Sequence, residues 1–514
     1  MSLSVYRNWE KVILALLLMG LQGLTSVKEK LVTLNFIFNP SKPITFNPHY
    51  NLVIQSVLHC SLIAQVGNSA QIFFYSVNIG RMPSLKHKTN YLPSSCLPSG
   101  NCWLLASFGS LTLRKSLMAQ VVPSDQNFKD GYAGIFHFRF WRFGKWVDVV
   151  VDDLLPTRNF LPVSVSSKSG TEFWAPLMEK AYAKVCGSYG DMIAGNPSEA
   201  FMDFSGRVHM NYKLTKQPSD LWDVMTRATQ AKTMMGCATY GQKGKPGEEA
   251  GLVSGHAYAV TGVKQVLSEG MEVNLVRIWN PWGRKEWNGD WSDKSELWET
   301  VSSDVRDQCL KVRNDGEFWM TLEDYCVYYE DMDICCDSPN FLDDDAACQW
   351  KCSMKEGCWE AGESDVGSDC HKDKTSFWKN PQFRIRVKAV EGESQGSKNI
   401  LVSLMQKSDE EKRSKVEYHA IGFMIYEVPP EVIEILTASL MGDSSPLEVS
   451  TFCFAREIVE LHSLQPGEYV IIPCTSEPEK TSSFILTIYS KAEADRRTEL
   501  QNPEEQHAPT EVQS

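Results

Sequence analysis

The chain is 514 residues long, with 43% hydrophobic and 22% charged residues, a balance that excludes whole-length disorder, collagen and coiled-coil fibres and suggests about three domains. A net charge of −13 argues against a nucleic-acid binder held by a basic surface. Fifteen cysteines, an odd number scattered along a long chain, do not make a complete disulfide framework, so a reducing compartment is expected.

The charge is uneven. Residues 1–100 hold eight Lys or Arg against two acids, Glu10 and Glu29, which leaves +6 here and −19 elsewhere. Residues 1–90 read as an atypical N-terminal leader. Arg7 and Lys11 precede the apolar run Val12–Met19, with Gly20, Gly23, Thr25 and Ser26 behind it. Residues 1–26 are thus signal-peptide-like in outline, but the run is short for a membrane span. Secretion is the minority reading and a cytoplasmic protein the main one. Leu34–Phe38 and Gln71–Asn78 are β-prone runs without an assigned role.

From residue 95 the pattern tightens. Cys102–Leu113 (CWLLASFGSLTL) predicts a buried helix. Gly134–Phe140 and Lys145–Val151 predict two strands joined through Arg142–Gly144. Phe173–Lys184 has helical period, with Pro176 confined to the first turn. Residues 211–335 are strand-rich, with His256–Val266 and Val273–Trp279 as an antiparallel pair turning at Ser268–Gly270. Near residue 340 a third block opens with the acidic, cysteine-rich stretch Asp343–Asp369. Short alternating strands follow at Phe383–Val387, Ile400–Leu404, Gly422–Tyr426, Glu468–Pro473 and Ser483–Tyr489, a spacing that suggests a β-sandwich. Residues 492–514 read as a disordered tail.

Cys102 stands out from the other cysteines by its setting. Gly100-Asn101-Cys102-Trp103 places a thiol just after a glycine turn at the start of an apolar helix. The partial positive charge and open N–H groups there favour thiolate and can serve as an oxyanion hole. A nucleophilic thiol needs an imidazole to hold its proton, and the imidazole needs an orienting partner. His256, in Gly255-His256-Ala257-Tyr258, and Asn280, in Trp279-Asn280-Pro281-Trp282-Gly283, follow in the order and spacing of a papain-type Cys…His…Asn set. Alone, a cysteine before an apolar helix is core and a histidine at a strand start is structural; the three flanked motifs together favour catalysis.

The text around these residues resembles the calpains, calcium-regulated intracellular cysteine proteases. GNCWLLASFGSLT, YAGIFHFRFWRFGKWVDVVVDDLLPT, EFWAPLMEKAYAKVCGSYG, GLVSGHAYAVTG, RIWNPWGRKEWNGDWSD and NDGEFWMTLEDY carry the likeness over residues 95–335. FWKNPQFRIRV, AIGFMIYEVP and LQPGEYVIIPCT extend it through a C2-like domain. The resemblance implies an α+β, papain-like core of two subdomains, 91–206 with Cys102 and 207–337 with His256 and Asn280, followed by a C2-like antiparallel β-sandwich over 340–491. It implies limited cleavage of protein substrates, with Trp282 and Gly255 beside the cleft. Calcium is the expected cofactor, held by Glu286, Asp293, Asp315 and Glu317 and by the carbonyl of Arg313. A weak phospholipid contact through the sandwich is a further expectation; nucleic acid is not an expected partner.

The chain departs from the family pattern in four places. The family reads Gln-Gly-x-x-Gly-Asp-Cys-Trp where this chain has Cys96 at the oxyanion Gln and Asn101 before the nucleophile. A thiol is a poor donor beside an amide. A first calcium site keeps Glu172 but has Pro93 at its Asp position, so it is expected to be weak or lost. The hinge Gly-Gly is Ser205-Gly206-Arg207, and no EF-hand loop appears, so no surface for pairing with an EF-hand small subunit is expected. These departures keep a second reading open, a catalytically weak or inactive scaffold that binds proteins. A third reading is a zinc module built from Cys348, Cys352, Cys358, Cys370 and His371, whose spacing is irregular for zinc.

Overall fold

The computed structural model describes the backbone of Phe73–Ser76 and residues 100–491, apart from 129–131, 159–160, 163–164, 166–171, 242–246, 343–349, 365–366, 368–376, 390–397, 409, 411, 429–435 and 438–444. Cys96, Pro93, Cys348, Cys370, His371, the run 12–19 and the tail 492–514 lie outside the described residues. No helix among the described residues is long and apolar enough to cross a membrane.

Phe73–Ser76 (β1) falls within a β-prone run of the leader and pairs antiparallel with Leu154–Arg158 (β4), itself paired with the two-residue strand Leu161–Pro162 (β5). Helix Cys102–Thr112 (α1) leads into Lys115–Val121 (α2). Ile135–Arg142 (β2) and Lys145–Asp152 (β3) form the expected hairpin. Its turn puts Phe143 and Gly144 at positive φ, 46° and 90°. Trp174–Cys186 (α3) carries Pro176 at its third position, where no intrahelical donor is lost. Pro197–Ser205 (α4) is capped by the Asn196 side chain and closed by Gly206 at φ 67°. These elements share one core built on Leu104, Phe108, Phe138, Phe140, Tyr182 and Phe204.

Beyond Gly206 the chain builds a six-stranded antiparallel sheet. Its strands are Val208–Lys213 (β6), Met234–Thr239 (β7), Ala257–Ser268 (β8), Met271–Trp279 (β9), Glu317–Thr321 (β10) and Tyr329–Cys336 (β11), in the order β10-β9-β8-β7-β11-β6. Leu221–Gln230 (α5) covers β8 with an amphipathic face. Ser303–Cys309 (α6) and Leu322–Tyr328 (α7) are the remaining α-helices among the described residues. The β8–β9 turn places Glu269 and Gly270 both at positive φ, 51° and 85°, which matches the right-handed twist of the strands. Helix α1 runs against this sheet as well as its own core. A Cβ at Gly109 would sit 2.5 Å from the Trp279 ring, so only glycine allows that approach. Ser110 Oγ donates to the Met235 carbonyl across the same seam, 2.7 Å.

The third region is a sandwich. Lys351–Trp359 (β12), Phe383–Val387 (β13), Ile400–Gln406 (β14), Ala420–Val428 (β15), Glu448–Val449 (β16), Cys453–Phe454 (β17), Glu457–His462 (β18), Gly467–Thr475 (β19) and Ser482–Ser490 (β20) form two antiparallel sheets, β12-β20-β14-β18 and β13-β19-β15-β16 with β17 on β15. Central strands expected to alternate are instead buried on both faces, β14 along its whole length. Leu401 and Tyr489 pack into the core of the six-stranded sheet, and Met405 and Ile485 pack against Trp141 and Met202, so the outer sheet face is also an interior face. The cysteine-rich stretch supplies the alternating edge strand β12, with Cys352 and Cys358 exposed. No group of three His, Cys, Asp or Glu able to hold a metal occurs among the described residues, and three of the five candidate zinc ligands lie outside them.

Salt bridges tie the sandwich to both sides of the hinge. Arg456 and Arg142 flank the fully buried Asp203, 2.7 and 2.6 Å, and Tyr182 donates to it. Arg413 grips Glu199 with two donors at 2.8 Å. On the far side Glu457 meets His209 Nδ1, 3.0 Å.

Candidate active site

Gly100 at φ 71° turns the chain into α1, and the Asn101 carbonyl takes the first amides of the helix, those of Leu104 and Leu105. The amides of Cys102 and Trp103 are left to face the Cys102 thiol, as orphan donors of a helix start do. The Ala257 amide joins them from the opposite subdomain. Burial pushes the thiol above its ordinary value, and these three N–H groups oppose that shift. Asn101 is itself buried, and its amide donates to Glu179, a carboxylate 1% exposed in α3 whose other oxygen accepts from Val165 N, 3.3 Å. That carboxylate was not singled out in the sequence; its signal is an acid on the buried face of α3.

The expected base is fixed more tightly. His256, 3% exposed, enters β8 just after Gly255, whose φ is 59° and whose N–H donates to the Tyr240 carbonyl, 2.9 Å. The His256 amide donates to Thr239 Oγ1, 3.0 Å. Asn280 is fully buried at the end of β9. Its Nδ2 donates to the carbonyls of Arg284 and Lys285, both at 2.9 Å. Carbonyls only accept, so the amide orientation is set and Oδ1 faces His256 Nε2 at 2.9 Å. Oδ1 also accepts from the Trp282 amide, 3.0 Å. Nε2 must therefore carry the proton, and Nδ1 is the basic nitrogen. Burial drives the imidazole down to about 4, with Lys285 adding to the shift and Asn280 opposing it. Burial thus disfavours charge on both the thiol and the imidazole, and among the described residues no hydrogen bond joins them. The Trp282 ring lies over His256, centroids 4.6 Å apart, and also touches the first subdomain's core, so it spans the cleft.

The four acids expected to bind calcium lie in two neighbouring loops behind Asn280 and at the first residue of β10, Glu317. Glu286 Oε1 accepts from Gly316 N, 2.7 Å, Asp293 Oδ2 from Arg313 N, 3.0 Å, and Asp315 Oδ1 from Glu317 N, 3.1 Å. Glu317 faces Arg277, 3.5 Å. Burial, then Glu286, Asp315 and Glu317, push the Asp293 carboxyl up to about 6. Such a concentration of carboxylates fits a hard, oxygen-seeking cation in its chemistry. As placed, no three of them converge within metal distance. Glu172 also fits a ligand's profile: burial raises its carboxyl, and its Oε2 is buried with no partner among the described residues.

The profile described as calpain family cysteine protease matches residues 97–336, and that of the calpain large subunit, domain III, matches residues 355–489. The calpain-1 catalytic subunit of Bos taurus is 41% identical over 428 residues, 79% of this chain and 60% of the relative. The calpain-1 catalytic subunit of Sus scrofa is 42% identical over 410 residues, 77% of this chain and 57% of the relative. The calpain-2 catalytic subunit of Bos taurus is 39% identical over 408 residues, 77% and 58%. The chain thus spans about 60% of the length of the curated relatives it matches. With a protease profile over the cleft and a domain III profile over the sandwich, the chain belongs to the calpain family of cysteine proteases.

Proposed function

We propose that the chain is a calcium-regulated intracellular cysteine endopeptidase making limited cuts in protein substrates, with Cys102 as nucleophile, His256 as base and Asn280 as orienter. The observation that carries this reading is the Asn280-locked imidazole, its basic nitrogen left open, in the subdomain whose Ala257 amide reaches the Cys102 thiol. His256 Nδ1 takes the thiol proton as Sγ bonds to the scissile carbonyl carbon. The Cys102 amide at the helix start stabilises the oxyanion. The C–N bond breaks as His256 returns that proton to the leaving amine, and water, deprotonated by His256, then hydrolyses the thioester.

Glu286, Asp293, Asp315, Glu317 and the Arg313 carbonyl would hold Ca²⁺, which supplies the positive charge that lets these loops approach one another. Those loops reach the orienter directly. Asn280 N donates to the Gly316 carbonyl, 2.8 Å, and a Cβ at Gly316 would stand 2.6 Å from the Asn280 carbonyl. A shift of the acids therefore moves Asn280 and the Trp282 amide it holds. The Glu172 site, with Pro93 in place of an acid, contributes little in this reading. A phospholipid contact through the sandwich and a cytoplasmic location complete it. The second reading, a weak or inactive protein-binding scaffold, draws on the raised thiol and on Cys96 at the oxyanion position.

Labelling the full chain with an epoxysuccinyl inhibitor, with and without Ca²⁺, tests the proposal by peptide mass spectrometry. Label should fall on Cys102, faster with Ca²⁺. That enhancement should vanish in Asp315→Ala and persist in Glu172→Ala. No labelling, or labelling spread over other cysteines, would favour the scaffold.

A further inference from the structure

An apolar side chain that the catalytic chemistry does not use stands beside Gly100, at the turn that leads into Cys102. Ile193 is 62% exposed, so its side chain is open to a ligand. A Cβ on Gly100, two residues before Cys102, would lie 3.2 Å from Ile193 Cγ2. The next residue, Ala194, donates its amide to the Gly100 carbonyl, 2.9 Å.

This loop is held from several directions. Trp103 Nε1 donates to the Met192 carbonyl, 3.0 Å, and Arg413 Nη1 donates to the Ala194 carbonyl, 2.9 Å. Ala194 itself sits at φ 59°, a region that residues with a Cβ enter only when their surroundings impose it. The outward placement of Ile193 is therefore a fixed feature of the wall.

The chemistry says which part of a substrate meets that wall. The leaving amine takes its proton from His256, so it departs on the side of His256 and Trp282. The acyl group stays on Sγ and extends toward the facing subdomain, where Gly100 and Ile193 lie. We infer that Ile193 is a specificity-determining residue that contacts the side chain of the substrate residue supplying the scissile carbonyl, favouring aliphatic or aromatic groups there over charged ones. The inference rests on the protease reading. A contact of this kind in an open subsite is worth about 10-fold in kcat/KM, the low end for one apolar contact.

The test uses the full chain with Ca²⁺ and peptidyl diazomethyl ketones whose acyl residue is Leu, Phe, Gly, Asp or Lys. The rate of Cys102 alkylation is read by mass spectrometry. Leu and Phe reagents should react about 10-fold faster than Asp with the native protein. Ile193→Ser should level the series, and Ile193→Lys should turn the preference toward Asp. Iodoacetamide, which presents no peptide side chain, should alkylate Cys102 equally in all three proteins. An unchanged ranking in both variants overturns the inference while leaving the protease reading intact. A matching fall in the iodoacetamide rate also overturns it, because Ile193 would then act on the nucleophile itself. No preference of any peptidyl reagent for Cys102 overturns the protease reading and the inference together.

Discussion

The two walls of the cleft secure their chemistry by different means. On the His256 wall the positioning is local. Asn280 finds its donors' partners four and five residues ahead, at Arg284 and Lys285, and the hairpin β8–β9 sets histidine and asparagine side by side. On the Cys102 wall it is long-range. Asn101 is anchored 78 residues away at Glu179, and Trp103 89 residues away at Met192. A base can be aimed by one supersecondary unit, whereas a nucleophile at a helix start depends on the packing of a whole subdomain.

That contrast can be broken by experiment. Asn280→Ala removes the acceptor that fixes the Nε2–H tautomer, so kcat on a fluorogenic peptide, measured below the lowered melting temperature of the variant, should fall about 10²-fold. An unaffected kcat would mean that the ring is oriented by Trp282 packing instead. Cys96→Gln should act in the opposite direction, raising kcat about 10-fold by adding an amide donor for the oxyanion. No gain in a folded variant would show that the helix-start amides suffice.

Asn101→Ala should register mainly as stability. It leaves the buried Glu179 short of a donor, a loss of about 1–3 kcal/mol readable by urea denaturation. A large fall in kcat with unchanged stability would reverse the contrast. The smallest effect concerns His209. Burial alone would depress its imidazole, but the hydrogen bond and charge of Glu457 outweigh this and raise it. A raised histidine contributes stability in full below its ordinary value near 6.5, and loses that contribution as pH climbs through the raised value. His209→Gln should therefore flatten the fall in melting temperature above pH 6.5, and an unchanged profile would exclude the Glu457 contact as its cause.

Much of this architecture was legible in the residues. The flanks of Cys102, His256 and Asn280 are short, and each encodes its own turn or strand end. Gly255 and Gly316 announce backbone conformations that only glycine adopts easily. The Asn101–Glu179 contact was not legible, because sequence separation hides which buried acid meets which amide. Nor was the double burial of β14, since a run such as ILVSLMQ does not say what will cover its second face. The acids expected to bind calcium stand between these cases. The resemblance to the calpains singled them out, but whether they converge depends on loop positions that no local pattern sets.

The contacts of Asp203 have a practical corollary for recombinant work. A fragment ending near residue 336 would contain Asp203, Glu199 and His209 but none of Arg456, Arg413 and Glu457. Asp203, wholly buried in the full chain, would then keep one guanidinium where it has two, and breaking a buried ion pair costs up to about 3–5 kcal/mol. The isolated catalytic half would carry an unbalanced acid at the pivot between its own two lobes. Sluggish or absent turnover by such a fragment would therefore report on the truncation, and the intact polypeptide is the proper reagent for measuring what the cleft can do.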